Sequence, residues 1–118
     1  MVDCSDPMYI ATVERIGNTL RRGAFLARYA EPDDFGIPQV AFSVCTFWYI
    51  NALWSIGRKA EARELFGEML RRRNALGLMS EDLAPGSGEM WGNYPQTYSM
   101  VGIVNCAMRL SRSWEDAL

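Results

Sequence analysis

Apolar positions along this chain fall into four blocks with helical spacing, and the blocks alternate in character. In the first, from about Asp6 to Leu20, Ile10, Val13, Ile16 and Leu20 share one face, while Glu14 and Arg15 take another and Arg21 and Arg22 follow. That is an amphipathic helix with a wet side. Asp6 suits its N-cap, Pro7 its first turn, and Gly23 marks its end. The second block, from about Pro38 to Ser55, has no charge anywhere between Phe35 and Gly57. Val40, Phe42, Val44, Phe47, Trp48, Tyr49, Ile50, Leu53 and Trp54 cover nearly its whole circumference, which predicts a helix buried on most sides. The third, from about Lys59 to Asn74, returns to the amphipathic form. Ala62, Leu65, Phe66 and Met69 recur among Glu61, Arg63, Glu64, Glu68 and Arg71 to Arg73. The fourth, from about Gln96 to Ser111, is apolar again, with Arg109 its first charge.

Amphipathic, apolar, amphipathic, apolar is the order of an outer helix alternating with an inner one. The chain therefore reads as all-α, about four helices, in a pattern that suits part of an α/α toroid. A free four-helix bundle would carry four similar stripes. The uncharged second block is not read as a membrane span, because Pro38, Gln39, Ser43, Thr46, Asn51 and Ser55 interrupt it. The second and third helices join tightly at Gly57 and Arg58. Long loops, about Gly23 to Ile37 and Ala75 to Pro95, precede the two apolar helices. Loops of that length without structure of their own are uncommon unless functional. In a toroid both would emerge at the same end.

Composition narrows the chemistry. The 118 residues carry 12 Lys and Arg against 14 Asp and Glu, a balance with no footprint for nucleic acid or an anionic membrane. Cys4, Cys45 and Cys106 form no Cys-x-x-Cys pair, and the last two sit in apolar runs as buried thiols. The N-terminal stretch lacks the basic start and apolar core of a signal peptide, so a cytoplasmic location is expected. No histidine occurs. These residues alone cannot build a Ser-His or Cys-His pair or an imidazole zinc site; no metal and no cofactor is expected. The chemistry falls to carboxylates.

The second long loop holds Glu81, Asp82 and Glu89, with Trp91, Tyr94 and Gln96 nearby. Carboxylates beside aromatic rings suit a sugar: a ring face covers the apolar side of a pyranose, and carboxylates or amides bind its hydroxyls. The first loop holds Arg28, Asp33 and Asp34. Arg28 offers a rigid fork of donors, and the residues alone favour an Arg–Asp salt bridge pinning that loop.

The stretch from Ala41 to Phe66 places an apolar helix ending in Ala-Leu before Gly-Arg and a helix with Glu-Ala. The stretch from Asn74 to Ser111 runs Leu-Gly-Leu, an acidic pair, Gly-Glu, then Gly-Asn-Tyr-Pro-Gln. In that order these pieces resemble the C-terminal portion of glycoside hydrolase family 15, the glucoamylase-like and trehalase-like α-glucosidases. The resemblance spans the chain from about Arg28 onward and more faintly before it. It implies an (α/α)6 toroid that hydrolyses terminal α-glucosidic bonds with inversion. It makes Glu81 the general base and puts the general acid on a loop upstream of the part represented here. It assigns Arg28, Asp33 or Asp34 to substrate contact, and Gly92 to Gln96, with Trp91 beside them, to the pocket's edge. Asp82 stands where many relatives have a second Glu, Gln39 where a Glu is common, and Met100 where a His is frequent.

Two other readings compete. Ala52 to Leu70 has the cadence of a tetratricopeptide repeat, a peptide-binding helical module, but no second copy follows near 34 residues away. Another toroid enzyme, a sugar epimerase or lyase, would need a histidine from elsewhere. On the favoured reading the chain is a piece of a catalytic toroid. The 118 residues by themselves are then expected to lack glucosidase activity, and their exposed apolar helices to favour self-association.

Overall fold

In the computed structural model, residues 3–111 are described. Four helices, α1 (Pro7–Leu20), α2 (Ser43–Ser55), α3 (Lys59–Arg71) and α4 (Thr97–Leu110), are joined by five two-residue strands. The strands are β1 (Arg21–Arg22), β2 (Phe25–Leu26), β3 (Ala41–Phe42), β4 (Asp82–Leu83) and β5 (Met90–Trp91). The fold is thus mostly helical, and the expectation of helices alone is corrected by these short strands.

Local chemistry fixes most helix ends. Asp6 caps α1 by accepting the Met8 N–H at 2.8 Å, with Pro7 in the first turn where a missing N–H costs nothing. The Gln96 side chain accepts from Tyr98 N at the start of α4. α3 stops at Arg71, three residues before the expected end. The Asn74 side chain accepts the N–H groups of Leu76 and Leu78, both at 2.9 Å, and so organises a turn in place of helix.

α2 begins at Ser43, five residues later than its apolar run suggests. Pro38 disfavours helix in the residue before it, and Ala41 and Phe42 are drawn into extended pairing. β3 pairs antiparallel with β4, Ala41 opposite Leu83 and Phe42 opposite Asp82. β4 pairs in turn with β5, Asp82 opposite Trp91. The segments leading into the two apolar helices are therefore stitched into one three-stranded sheet. β1 and β2 form a separate hairpin after α1, tied to α2 where Leu26 N–H donates to the buried Thr46 hydroxyl at 2.9 Å.

α2 is the hub. Phe47, Ile50 and Leu53 are fully buried, packed with Val13 of α1, Leu65 and Met69 of α3, Cys106 and Leu110 of α4, and Phe25, Met79 and Leu83 from the connections. α4 approaches α2 closely at Gly102, where a Cβ would overlap the Phe47 ring. Two polar groups on this side are satisfied locally: Ser99 Oγ donates to Ser80 O at 2.7 Å, and Cys106 Sγ donates to Phe47 O at 3.5 Å. Burial pushes the Cys106 thiol up to about 12, the inert state expected of it. Cys45 is only half-buried, packed against the core's edge.

The other face of α4 is open. Val101 is 48% exposed, Val104 56% and Met108 73%, beside Trp48 of α2 at 64%. The described chain measures 48 × 38 × 23 Å. None of the described helices is long and apolar enough to cross a membrane.

Candidate active-site cleft

The sheet brings the two long loops together. Arg28 and Tyr29, two residues past β2, and Pro38, Val40 and Phe42, at the approach to α2, line a cleft shared with Glu81 and Asp82 from the second loop. Its volume is about 150 Å³. Small-molecule sites usually enclose about 300–1,000 Å³, so this cleft by itself is smaller than a usual site.

Glu81 sits half-buried just before β4, fixed through its backbone in two directions. Its N–H donates to Asn93 O at 2.9 Å, and its carbonyl accepts from Ser43 N at 3.0 Å. Its carboxylate is held as well. Oε2 accepts from the Asn93 backbone N–H at 3.1 Å and from Asn93 Nδ2 at 2.9 Å. Among the described residues Oε1 has no hydrogen-bond partner.

Asp82 lines the same cleft, although neighbours along a strand normally point to opposite faces. Burial, and secondarily the Glu81 charge, raise its carboxyl to about 6 against the opposing pull of Arg28. Gly92 (φ 76°) explains how the loop passes so near both acids. A Cβ there would stand 2.9 Å from Glu81 Oε2 and 3.2 Å from Asp82 Oδ2, and the positive φ is itself a conformation that favours glycine. Arg28 lies over the Phe42 ring, its guanidinium carbon 5.3 Å from the centroid. That contact holds the planar donor fork at the cleft edge.

The remaining candidates lie elsewhere. Among the described residues Arg28 makes no ion pair, so the expected Arg–Asp salt bridge is not what orders the first loop. Asp33 instead accepts from the Tyr29 hydroxyl and, at 2.8 Å, from Phe35 N, and these bonds lower its pKa. Asp34 is exposed on the same turn. Trp91 is exposed on β5. The Tyr94 hydroxyl accepts from Asn74 Nδ2 at 2.5 Å, and Gln96 is spent on capping α4 and on bonding Met79 O through its N–H. None of Asp33, Asp34, Trp91, Tyr94 and Gln96 lines the cleft with Glu81 and Arg28.

Sequence reasoning did not place Asp82 in the cleft, and it reached Asn93 only as part of the Gly92 to Gln96 segment at the pocket's edge, with no role of its own. The only available signal for either was Gly92, whose place between an acidic pair and an amide marks a close backbone approach.

No protein-family model matches the chain, and no solved structure matches it with significance. Curated sequences do. It is 34% identical over 113 residues to the trehalase of Thermoplasma volcanium, covering 95% of this chain and 18% of that protein. It is 32% identical over 114 residues to the trehalase of Thermoplasma acidophilum, covering 96% and 20%. It is 31% identical over 115 residues to the trehalase of Mycolicibacterium smegmatis, covering 95% and 17%. The chain therefore spans about a fifth of the length of these relatives. Nearly all of it is homologous to one segment of the trehalases of glycoside hydrolase family 15.

Proposed function

We propose that this chain forms part of an inverting α-glucoside hydrolase site, with trehalose as its substrate and Glu81 as its general base. The observation that carries this reading is the convergence of Glu81 with Arg28 in one cleft, from loops more than fifty residues apart. Glu81 Oε1 is free to take a proton from water, and the attack of that water on the anomeric carbon expels the leaving sugar. Arg28, stacked and unpaired within the cleft, binds hydroxyls of the glucose unit. The outer–inner alternation of the helices and the homology to trehalase together support membership of an (α/α)6 toroid.

The general acid belongs to residues outside this chain. An inverting pair keeps its carboxyl groups about 6.5–9.5 Å apart so that water fits between base and sugar. Glu81 Oε2 and Asp82 Oδ2 both lie within 3.2 Å of a single point beside Gly92. These two oxygens are therefore closer together than an inverting pair's separation, which favours an acid from elsewhere over Asp82. Asp82 instead tunes the charge of the cleft floor.

The test is a chimera in which this chain replaces the homologous segment of the Thermoplasma volcanium trehalase. Glucose release from trehalose by the chimera, with none from the 118 residues alone, is the expected result. Turnover by the 118-residue chain alone, lost on Glu81→Gln, would overturn the division of the site between two parts of a larger ring.

A further inference from the structure

We infer that Asn93 is a positioning residue for Glu81, an inference that rests on the reading of Glu81 as the base. The two residues exchange three hydrogen bonds. Glu81 N–H donates to Asn93 O at 2.9 Å; the Asn93 backbone N–H and Nδ2 both donate to Glu81 Oε2, at 3.1 and 2.9 Å. The first bond lies just beyond the β4–β5 ladder and is offset from it by one residue, since Asp82 opposes Trp91 while Glu81 bonds Asn93; it ties the Glu81 backbone to the end of the sheet. The other two converge on one carboxylate oxygen. A glutamate has three rotatable side-chain bonds, and pinning Oε2 from two directions removes most of that freedom. It also decides which oxygen works: Oε2 is saturated by donors, and Oε1 is left without a partner among the described residues.

Gly92 makes this arrangement possible. Any side chain at that position would press on Glu81 Oε2 and Asp82 Oδ2, lifting the loop and carrying the Asn93 donors away. Hydrogen bonds to an ionised acceptor are shorter and roughly twice as strong as neutral ones, so the clamp grips most firmly when Glu81 carries its charge. Sites of this kind need the working group held to within about 0.5 Å, and misplacement by about 1 Å can cost on the order of a hundredfold in rate.

The charged and titratable groups facing the pair are Asp82 on β4 and Arg28 and Tyr29 from the first loop, and the test must separate them from Glu81. The experiment is an acid titration of the full 118-residue chain, labelled with ¹⁵N and ¹³C, across the carboxylate range of about pH 3–6. We expect the backbone and side-chain amide signals of Asn93 to move together with the Glu81 carboxyl carbon, at one shared midpoint. Glu81→Gln abolishes that step, and Asp82→Asn preserves it. Asn93→Ala leaves the helical circular dichroism unchanged and increases the mobility of the Glu81 methylenes in relaxation measurements. The inference is overturned if the Asn93 amides stay flat through the Glu81 midpoint, follow Asp82, or keep their step in Glu81→Gln. Should Asn93→Ala unfold, the titration of the unaltered chain still decides. None of these signals needs sugar or turnover, so a failed clamp is distinguishable from a failed base, which the chimera reports.

Discussion

α2 and α4 read almost alike along the sequence, yet the structure treats them differently. Both are apolar nearly all round and both follow a long loop. α2 lies at the centre, touched by α1, α3, α4 and β2, and Phe47, Ile50 and Leu53 are sealed from water. α4 buries only Ser99, Gly102, Cys106 and Leu110, and turns Val101, Val104 and Met108 outward. An apolar stripe records what a helix is suited to bury. It does not record whether the neighbour is present in the same 118 residues. On the proposed reading, the open face of α4 is the side on which the rest of a larger ring would pack.

Substitutions sharpen that contrast. Phe47→Ala on α2 empties the middle of the core and should cost about 3–5 kcal/mol, measured by urea unfolding. Gly102→Ala, where the α4 backbone lies against α2, forces a methyl into the Phe47 ring and should cost about 1–3 kcal/mol. A loss as small as that of an exposed site would mean the two helices do not pack as described.

Asp82→Asn should act through pH. The folded chain holds the Asp82 proton more tightly than an unfolded chain does. The stability this contributes is complete below about pH 4 and is lost as pH rises through about 6. The half-exposed setting screens it, so Asp82→Asn should gain no more than about 1 kcal/mol at pH 7. Thermal unfolding at a series of pH values should show a flatter profile between pH 4 and 6 in this variant. An unchanged profile would show that Asp82 is as hydrated as a free carboxylate.

On the open face of α4, Val104→Lys and Met108→Lys should leave stability within about 0.5 kcal/mol. They should also reduce the self-association that exposed apolar patches promote, read by sedimentation at increasing concentration. Equal association by the original chain and these variants would remove α4 as the associating surface.

These outcomes bear on what local sequence can encode. The starts of α1 and α4 were legible because Asp6, Pro7 and Gln96 act on backbone groups within two residues of themselves. The start of α2 was not, because Ala41 and Phe42 are held extended by partners forty residues away, and two-residue strands carry no periodicity to read. The cleft was legible in part for the same reason. Glu81 and Arg28 stand in quotable motifs. The Asn93 clamp and the inward turn of Asp82 arise at the end of the β4–β5 ladder and from the close approach at Gly92, which only coordinates display. The polar roles of Tyr94 and Gln96 likewise depend on which neighbour their single polar groups meet.

The most direct test of the account is the kcat of the trehalase chimera on trehalose with Glu81 intact and with Glu81→Gln. Removing a positioned general base costs about 10²–10⁴-fold. The account predicts a fall in kcat of that size with KM little changed, and full retention of fold. A kcat that survives Glu81→Gln within a few-fold, in a chimera that otherwise hydrolyses trehalose, would contradict it.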